Sequence, residues 1–351
     1  MIQLRVHSMA MSTRLIIGAD DDGRRLDRLL RKSLGDLPLS AIHRLLRTGR
    51  IRVDGKKASA ADRLRSGSVL ELPELEGLLP PGQRPIREGT RNERANDSAS
   101  AERAAEGMAA MRLDILWQGG GLLVVSKPAG LLIHGPNSLE DMVLEYLEGK
   151  LAPSLSFRPG PLHRLDRGTS GIVTFSTSLD GARRFSEALR ERRLRKRYLA
   201  LLSGELTSTE VWEDDLVRND DGGKTSVRDA GEEGGKRAHT RIVPLQAARG
   251  RTLALVEIGT GRTHQIRAQA AAHGYPLAGD RKYGGDEERG GFLLHAYELA
   301  SPREAALPLP PILVAPPPAP FLRTVEKLFG PALAQKLASA LPTDAILDAI
   351  M

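Results

Sequence analysis

The chain contains no cysteine, which excludes disulfides, thiolate metal sites and a cysteine nucleophile. No run approaches 18 uninterrupted apolar residues. The nearest, Leu307 to Phe321, carries seven prolines and cannot span a bilayer as a helix. Met1 to Gly18 has Arg5 and Arg14 among its apolar residues and no continuous hydrophobic segment, so it does not read as a signal peptide. The eight histidines are scattered, and none falls in a His-Glu-x-x-His pattern, so no metal site is expected. Gly223-Lys224-Thr225 resembles the end of a phosphate loop, but Arg218 stands where that loop needs glycine, and no apolar strand leads into it. Gly259-Thr260-Gly261 lacks the third glycine of a dinucleotide fingerprint. The expectation is a soluble, cytoplasmic, monomeric protein with no membrane partner and no metal or nucleotide cofactor.

What is present supports a folded, multidomain chain. At 351 residues it exceeds the size at which one core usually stops growing, about 250 to 300 residues. Apolar residues make up 40% and charged residues 27%, enough to bury a core. Lys plus Arg outnumber Asp plus Glu by 51 to 44, and the excess is local: Arg24 to Glu71 alone holds 13 basic and 5 acidic residues. Such a surplus on a small module suits a polyanion such as nucleic acid or an anionic membrane face; a merely soluble cationic surface is the alternative.

Residues 24–73 form the first unit, after an N-terminal extension over 1–23. Leu26, Leu29, Leu30 and Leu34 recur at helical spacing. Ser40 offers an N-cap to a second helix carrying Ile42, Leu45 and Leu46, and Gly49 supplies a left-handed exit. Ile51 and Val53 then alternate up to an Asp54-Gly55 turn, and Val69 to Leu72 reads as a closing strand. Over its whole length this segment resembles the S4 RNA-binding domain. The resemblance implies that Arg44, Arg47, Arg50 and Arg52, around the second helix and the strand after it, contact structured RNA through its phosphates.

Residues 74–111 lack apolar periodicity and include Pro80-Pro81-Gly82, which reads as a flexible linker. Dense signals resume over 112–330: strands at Ile115 to Trp117, Leu122 to Val125, Gly171 to Phe175, Tyr198 to Leu202 and Leu253 to Ile258, with helices around Asp141 to Leu147 and Ala182 to Leu194. Strands outnumber helices without strict alternation, so the fold class is α+β with a mixed or antiparallel sheet. Residues 331–351 read as an amphipathic helical tail.

The loop His163-Arg164-Leu165-Asp166-Arg167-Gly168-Thr169-Ser170-Gly171 runs directly into the Ile172 to Phe175 strand. An acid flanked by two arginines is a ready nucleophile or base at neutral pH; by residue type alone, an ion pair anchoring the loop fits equally well. HRLDRGTSG resembles the active-site loop of the RluA-type pseudouridine synthases. Further blocks follow the same family in order: SKPAGLLIHGP at 126–136, LRKRYLALLSGEL at 194–206, GTGRTHQIRAQAAAHGYPLAGDRKYGG at 259–285 and FLLHAYEL at 292–299. With the S4-like segment in front, the architecture is similar to the large-subunit ribosomal RNA synthases of the RluC and RluD kind. The resemblance departs at Gln269, where a second histidine commonly follows the His-Gln-Ile-Arg run.

The resemblance implies isomerisation of uridine without any cofactor, most closely in 23S ribosomal RNA, with Asp166 starting the reaction. Attack on the sugar, attack on the base and removal of a ribose C2′ proton all remain open. It further implies that Arg262 pairs with Asp166 and that Tyr198 stacks on the flipped uracil. Arg164 and Arg167 grip phosphates, and His163 and His264 position neighbouring groups. Arg183 to Arg197 holds eight basic and two acidic residues and fits either RNA phosphates or a solvated face. Two other functions remain open: an RNA-binding assembly factor with dispensable catalysis, and a synthase acting on transfer RNA.

Overall fold

The computed structural model describes residues 13–34, 37–73, 112–151, 154, 157–218, 224–228, 235–286, 290–302 and 307–348. The expected linker over 74–111 lies outside them. The chain divides into two units, one formed by Met1–Ala104 with Leu147–Arg158, the other by Ala105–Tyr146 with Pro159–Met351.

In the first unit, helices α1 (Leu26–Ser33) and α2 (Leu39–Arg47) lie with a four-stranded antiparallel sheet of β1 (Thr13–Ile16), β2 (Arg52–Val53), β3 (Lys56–Lys57) and β4 (Val69–Leu72), ordered β1-β4-β2-β3. Leu26, Leu29 and Leu30 of α1 and Ile42, Leu45 and Leu46 of α2 are all buried in one core with Ile51, Leu64 and Leu70. Each such side chain contributes about 1.5–3 kcal/mol relative to exposure. Gly49 leaves α2 at φ +68, and Asp54-Gly55 turns at φ 50 and 73, as the sequence predicts.

Two expectations need correction. The start of α2 is not capped by Ser40, which lies inside the helix; Pro38 holds the cap position at φ −55, and its carbonyl accepts the Ala41 N–H at 2.9 Å. Residues 13–23 are not an extension outside the first module. Strand β1 pairs with β4 from Thr13↔Leu72 to Ile16↔Val69, and Ile17 is buried in the core, because β4 would otherwise leave one edge unpaired.

Among the described residues, the second unit is built on eleven strands. They are β5 (Asp114–Gly119), β6 (Leu122–Lys127), β7 (Gly160–Pro161), β8 (Ser170–Ser176), β9 (Arg195–Ser203), β10 (Glu210–Arg218), β11 (Thr225–Arg228), β12 (Lys236–Ala248), β13 (Arg251–Ile258), β14 (Leu294–Ala300) and β15 (Ile312–Val314). The main path runs β11-β10-β12-β13-β9-β14-β8-β6-β5. Only the β14–β8 pair is parallel among the described pairings, so the sheet is mixed, as expected. Helices α3 (Leu139–Leu147), α4 (Leu179–Arg190), α5 (Gln265–Ala272), α6 (Ala319–Phe329), α7 (Pro331–Ala338) and α8 (Thr343–Asp348) complete it.

Strand β8 is buried along its whole length. At its start Gly171, at φ +105, lies so close to β14 that a Cβ there would meet the Ala296 carbonyl oxygen at 2.2 Å. Any side chain would push the two strands apart, and Asp166 sits only five residues upstream.

Residues 331–348 are not an appended tail. Leu333, Ala334 and Leu337 of α7 and Ile346 of α8 are buried in one cluster with Leu199, Leu253, Tyr297 and Phe321. Arg197 ties the same segment down, with ion pairs to Glu257 at 2.8 Å, Glu298 at 3.0 Å and Asp344 at 3.1 Å and a hydrogen bond to Thr343. The amphipathic pattern of this segment reflects burial against the sheet.

Candidate active site

Asp166 sits in the loop between β7 and β8, on the wall of an open cleft of about 550 Å³. The same cleft is lined by Arg164, Tyr198, Arg190, Arg192, Lys196, the Gly259–Thr263 segment, His264 and Arg267. Three collinear sequence blocks thus meet around one carboxylate.

The loop is held by its backbone. Thr169 N–H donates to the Asp166 carbonyl at 3.0 Å. Gly130 and Arg167 exchange two bonds, Gly130 N–H to the Arg167 carbonyl at 2.8 Å and Arg167 Nε to the Gly130 carbonyl at 2.9 Å. Lys127 sits beneath, fully buried, and its Nζ donates to the carbonyls of Pro128 at 2.9 Å, Leu131 at 2.8 Å and Arg167 at 3.1 Å. Burial lowers the Lys127 amine to about 8, against the opposing pull of the Asp166 charge. The Ser126-to-Pro136 block is therefore the clamp of the Asp166 loop. His163 also serves this loop: its Nε2 accepts the Thr174 N–H at 3.0 Å, its ring stacks on Phe185, and burial lowers it to about 3.

The cation on Asp166 is Arg267, where the sequence pointed to Arg262. Arg267 Nη1 donates to Asp166 Oδ2 at 3.2 Å, while Nε and Nη2 hold Asp280 at 2.7 and 2.8 Å. Its guanidinium lies between the rings of Tyr283 and Phe292, 4.9 and 4.4 Å from their centres. Arg262 is exposed and sends its Nε to the carbonyl of Arg237 at 3.3 Å. The reason is the left-handed turn at His264, φ 53, which ends the Gly259–Thr263 segment and starts α5; Arg267 lies almost one turn inside that helix. The helix buries Gln265 through Ala270, so a charged residue within it requires a partner, and its partners are Asp166 and Asp280. That burial signal, an arginine in an otherwise uncharged stretch, was available in the sequence.

His264 faces the same Oδ2 oxygen that Arg267 holds. Tyr283 Oη accepts the Thr225 N–H at 2.9 Å and is hydrogen-bonded to His264 Nδ1 at 2.8 Å, and His264 Nε2 lies 3.8 Å from Asp166 Oδ2. Burial lowers the His264 imidazole. Tyr198 lies on β9, mostly buried, and its phenol is pushed up by burial and by the Asp166 charge. It keeps its proton through the neutral range.

Of the remaining expected contacts, Arg164 is exposed at the cleft and Arg167 is exposed but bound to Gly130. Arg44, Arg47, Arg50 and Arg52 are all exposed on the first unit. Arg47 lines a shallow groove of about 370 Å³ with His43 and Lys57. Among the described residues, no three His, Cys, Asp or Glu side chains are grouped to hold a metal ion, and no helix is long and apolar enough to cross a membrane.

Comparison with known proteins places the chain in a family. Residues 121–272 match the family described as RNA pseudouridylate synthase. The chain is 34% identical over 273 residues to the ribosomal large subunit pseudouridine synthase C of Salmonella typhi, across 77% of this chain and 79% of that one. It is 33% identical over 272 residues to the protein of the same name from Haemophilus influenzae, across 77% and 78%. The solved structure of human RNA pseudouridylate synthase domain containing 1 gives a TM-score of 0.51 at 26% identity, over 68% of this chain and 94% of that one. Human RNA pseudouridylate synthase domain containing 4 shares the fold, with a TM-score of 0.51 at 24% identity over 65% and 97%.

Proposed function

Since the chain belongs to the RNA pseudouridylate synthase family, we propose that it isomerises specific uridines of large-subunit (23S) ribosomal RNA, with Asp166 as the residue that starts the reaction. The observation that carries the proposal is the Asp166 carboxylate at the cleft wall, gripped by Arg267 at 3.2 Å and neighboured by Tyr198.

The reaction breaks the bond between ribose C1′ and uracil N1 and rejoins the base through C5, with the C5 proton lost and a proton gained at N1, so no atom is added overall and there is no net oxidation or reduction. What the protein must supply is an extruded nucleoside held against one acid. Arg267 is already oriented by Asp280, Tyr283 and Phe292, so its Nη1 is aimed at Asp166 before substrate enters. Tyr198 offers the flipped uracil a flat face and a protonated phenol. Arg164, Arg190 and Arg192 lie at the cleft to meet the strand phosphates, and Arg262 joins them there instead of pairing with Asp166.

The first unit serves as an S4-like module that binds structured RNA through Arg44, Arg47, Arg50 and Arg52 and raises the local concentration of the second unit at its target. Ribosomal RNA as substrate implies a cytoplasmic location. A single chain is taken as the working unit. The test is pseudouridine mapping of total RNA from cells with and without the protein. Loss of signal at one or a few large-subunit positions is expected; loss confined to transfer RNA, or no loss, overturns the assignment.

A further inference from the structure

Gln269, the position at which the sequence leaves the family pattern, is fully buried in α5. Its Oε1 accepts the Thr240 hydroxyl at 2.6 Å, and its Nε2 donates to Asp214 Oδ2 at 2.6 Å and to the Trp212 carbonyl at 3.3 Å. Thr240 Oγ1 in turn accepts from Gln265 Nε2 at 2.9 Å, whose other hydrogen goes to the His239 carbonyl at 3.0 Å. Gln265 Oε1 then receives the backbone N–H of Arg262 at 3.0 Å and the Thr260 hydroxyl at 2.7 Å. From Arg262 through Gln265, Thr240 and Gln269, the bonds all donate in one direction, from the cleft wall towards Asp214.

A carboxylate accepts and an amide does both, so the order of groups determines which way each amide faces. With Asp214 and the Trp212 carbonyl as acceptors, Gln269 must turn its NH₂ outward and its oxygen to Thr240. Thr240 must then accept from Gln265, whose oxygen is left facing the 260–262 segment. Reversing either amide would set donor against donor and acceptor against acceptor inside a buried network.

We infer that Asp214 and Gln269 are positioning residues for the cleft, fixing the Gly259–Thr263 wall through Thr240 and Gln265 without touching substrate. The inference rests on the reading of the cleft as the synthase site. Neutral histidine offers the same one acceptor and one donor as Gln269 uses towards Thr240 and Asp214, whereas glutamate offers acceptors to both.

The test compares the full-length Gln269→Glu, Gln269→His and Asp214→Leu proteins by single-turnover rate at saturating RNA and by hydrogen exchange at the Arg262 amide. Gln269→Glu and Asp214→Leu are expected to slow turnover about tenfold and to speed Arg262 exchange by at least as much. Gln269→His is expected to keep both within about threefold of the parent. Unchanged Arg262 exchange in Gln269→Glu overturns the inference, as does equal loss of turnover in Gln269→His and Gln269→Glu. Should Asp214→Leu fail to fold, the Gln269 pair decides alone. A parent protein that forms no pseudouridine refutes the functional reading, and Arg262 exchange then still decides the network.

Discussion

Arg267 has little freedom: Asp280 takes two of its N–H groups, two aromatic rings cover its faces, and Asp166 receives a third. Lysine cannot reproduce a two-point grip on one carboxylate while reaching a second. Arg267→Lys is therefore expected to lower single-turnover rate by about 100-fold with RNA affinity nearly unchanged. Arg262→Lys, at an exposed position on the cleft, is expected to act mainly on KM. Equal rate losses in both proteins, measured side by side, would contradict this division. His295 makes the fold sensitive to acid. It is buried behind the loop strand, accepting from Ser170 Oγ at 2.8 Å on Nδ1 and donating to the Ala315 carbonyl at 2.9 Å from Nε2. Burial lowers it from 6.5 to about 4, against the pull of that carbonyl. The unfolded chain thus binds the extra proton between those values, so the stabilisation is complete above about pH 6.5 and is lost as pH falls towards about 4, on the order of 3 kcal/mol. Melting temperature against pH checks it: His295→Leu should flatten that acid limb, and an identical slope in both proteins would count against the assignment.

Helices α7 and α8 share their core with β9, the strand that carries Tyr198, through Leu199 and Arg197. Truncation after Gly330 removes Leu333, Leu337 and Ile346 from that core, and Leu337→Ala alone is expected to cost about 2–5 kcal/mol. Urea unfolding of the point variant measures this directly; a loss below about 1 kcal/mol would mean that the segment is only loosely attached. Helices α1 and α2 were legible in the sequence because apolar period fixes which face is buried, and β6, β8 and β13 because short apolar runs bounded by turn residues read as strands buried on both faces. The position of α7 and α8 was not, since an amphipathic stripe states that a face is covered without stating by what. Strand β1 escaped because a four-residue strand paired across the sequence has no turn beside it to announce it. At the site, Asp166, Tyr198 and the 259–285 block were reached through the family resemblance, since residue type alone leaves Asp166 open between a reactive group and a structural ion pair. Arg267 stood out as the lone charge in its helical stretch, but which arginine reaches Asp166 depended on a left-handed residue at His264, a conformation that histidine does not advertise. Lys127 falls within a recognisable block, yet its clamp on three carbonyls is a tertiary arrangement that no local pattern encodes.

Over the whole molecule, the four arginines of the S4-like segment and the proposed catalytic cleft belong to different units. The first unit holds the exposed Arg44, Arg47, Arg50 and Arg52, and the second holds the cleft. Replacing those four arginines by serine in the full chain is expected to raise KM while sparing the saturated rate. The salt dependence of binding should become shallower, by about one unit of slope for each phosphate that is no longer neutralised. An unchanged slope would remove the first unit from the RNA surface. In the proposed mechanism, catalysis depends on the carboxylate that Arg267 holds. Its most direct test is single-turnover pseudouridine formation by Asp166→Ala on large-subunit RNA, with RNA binding measured on the same preparation: no product and nearly intact affinity are predicted, and residual turnover above a few per cent would contradict it.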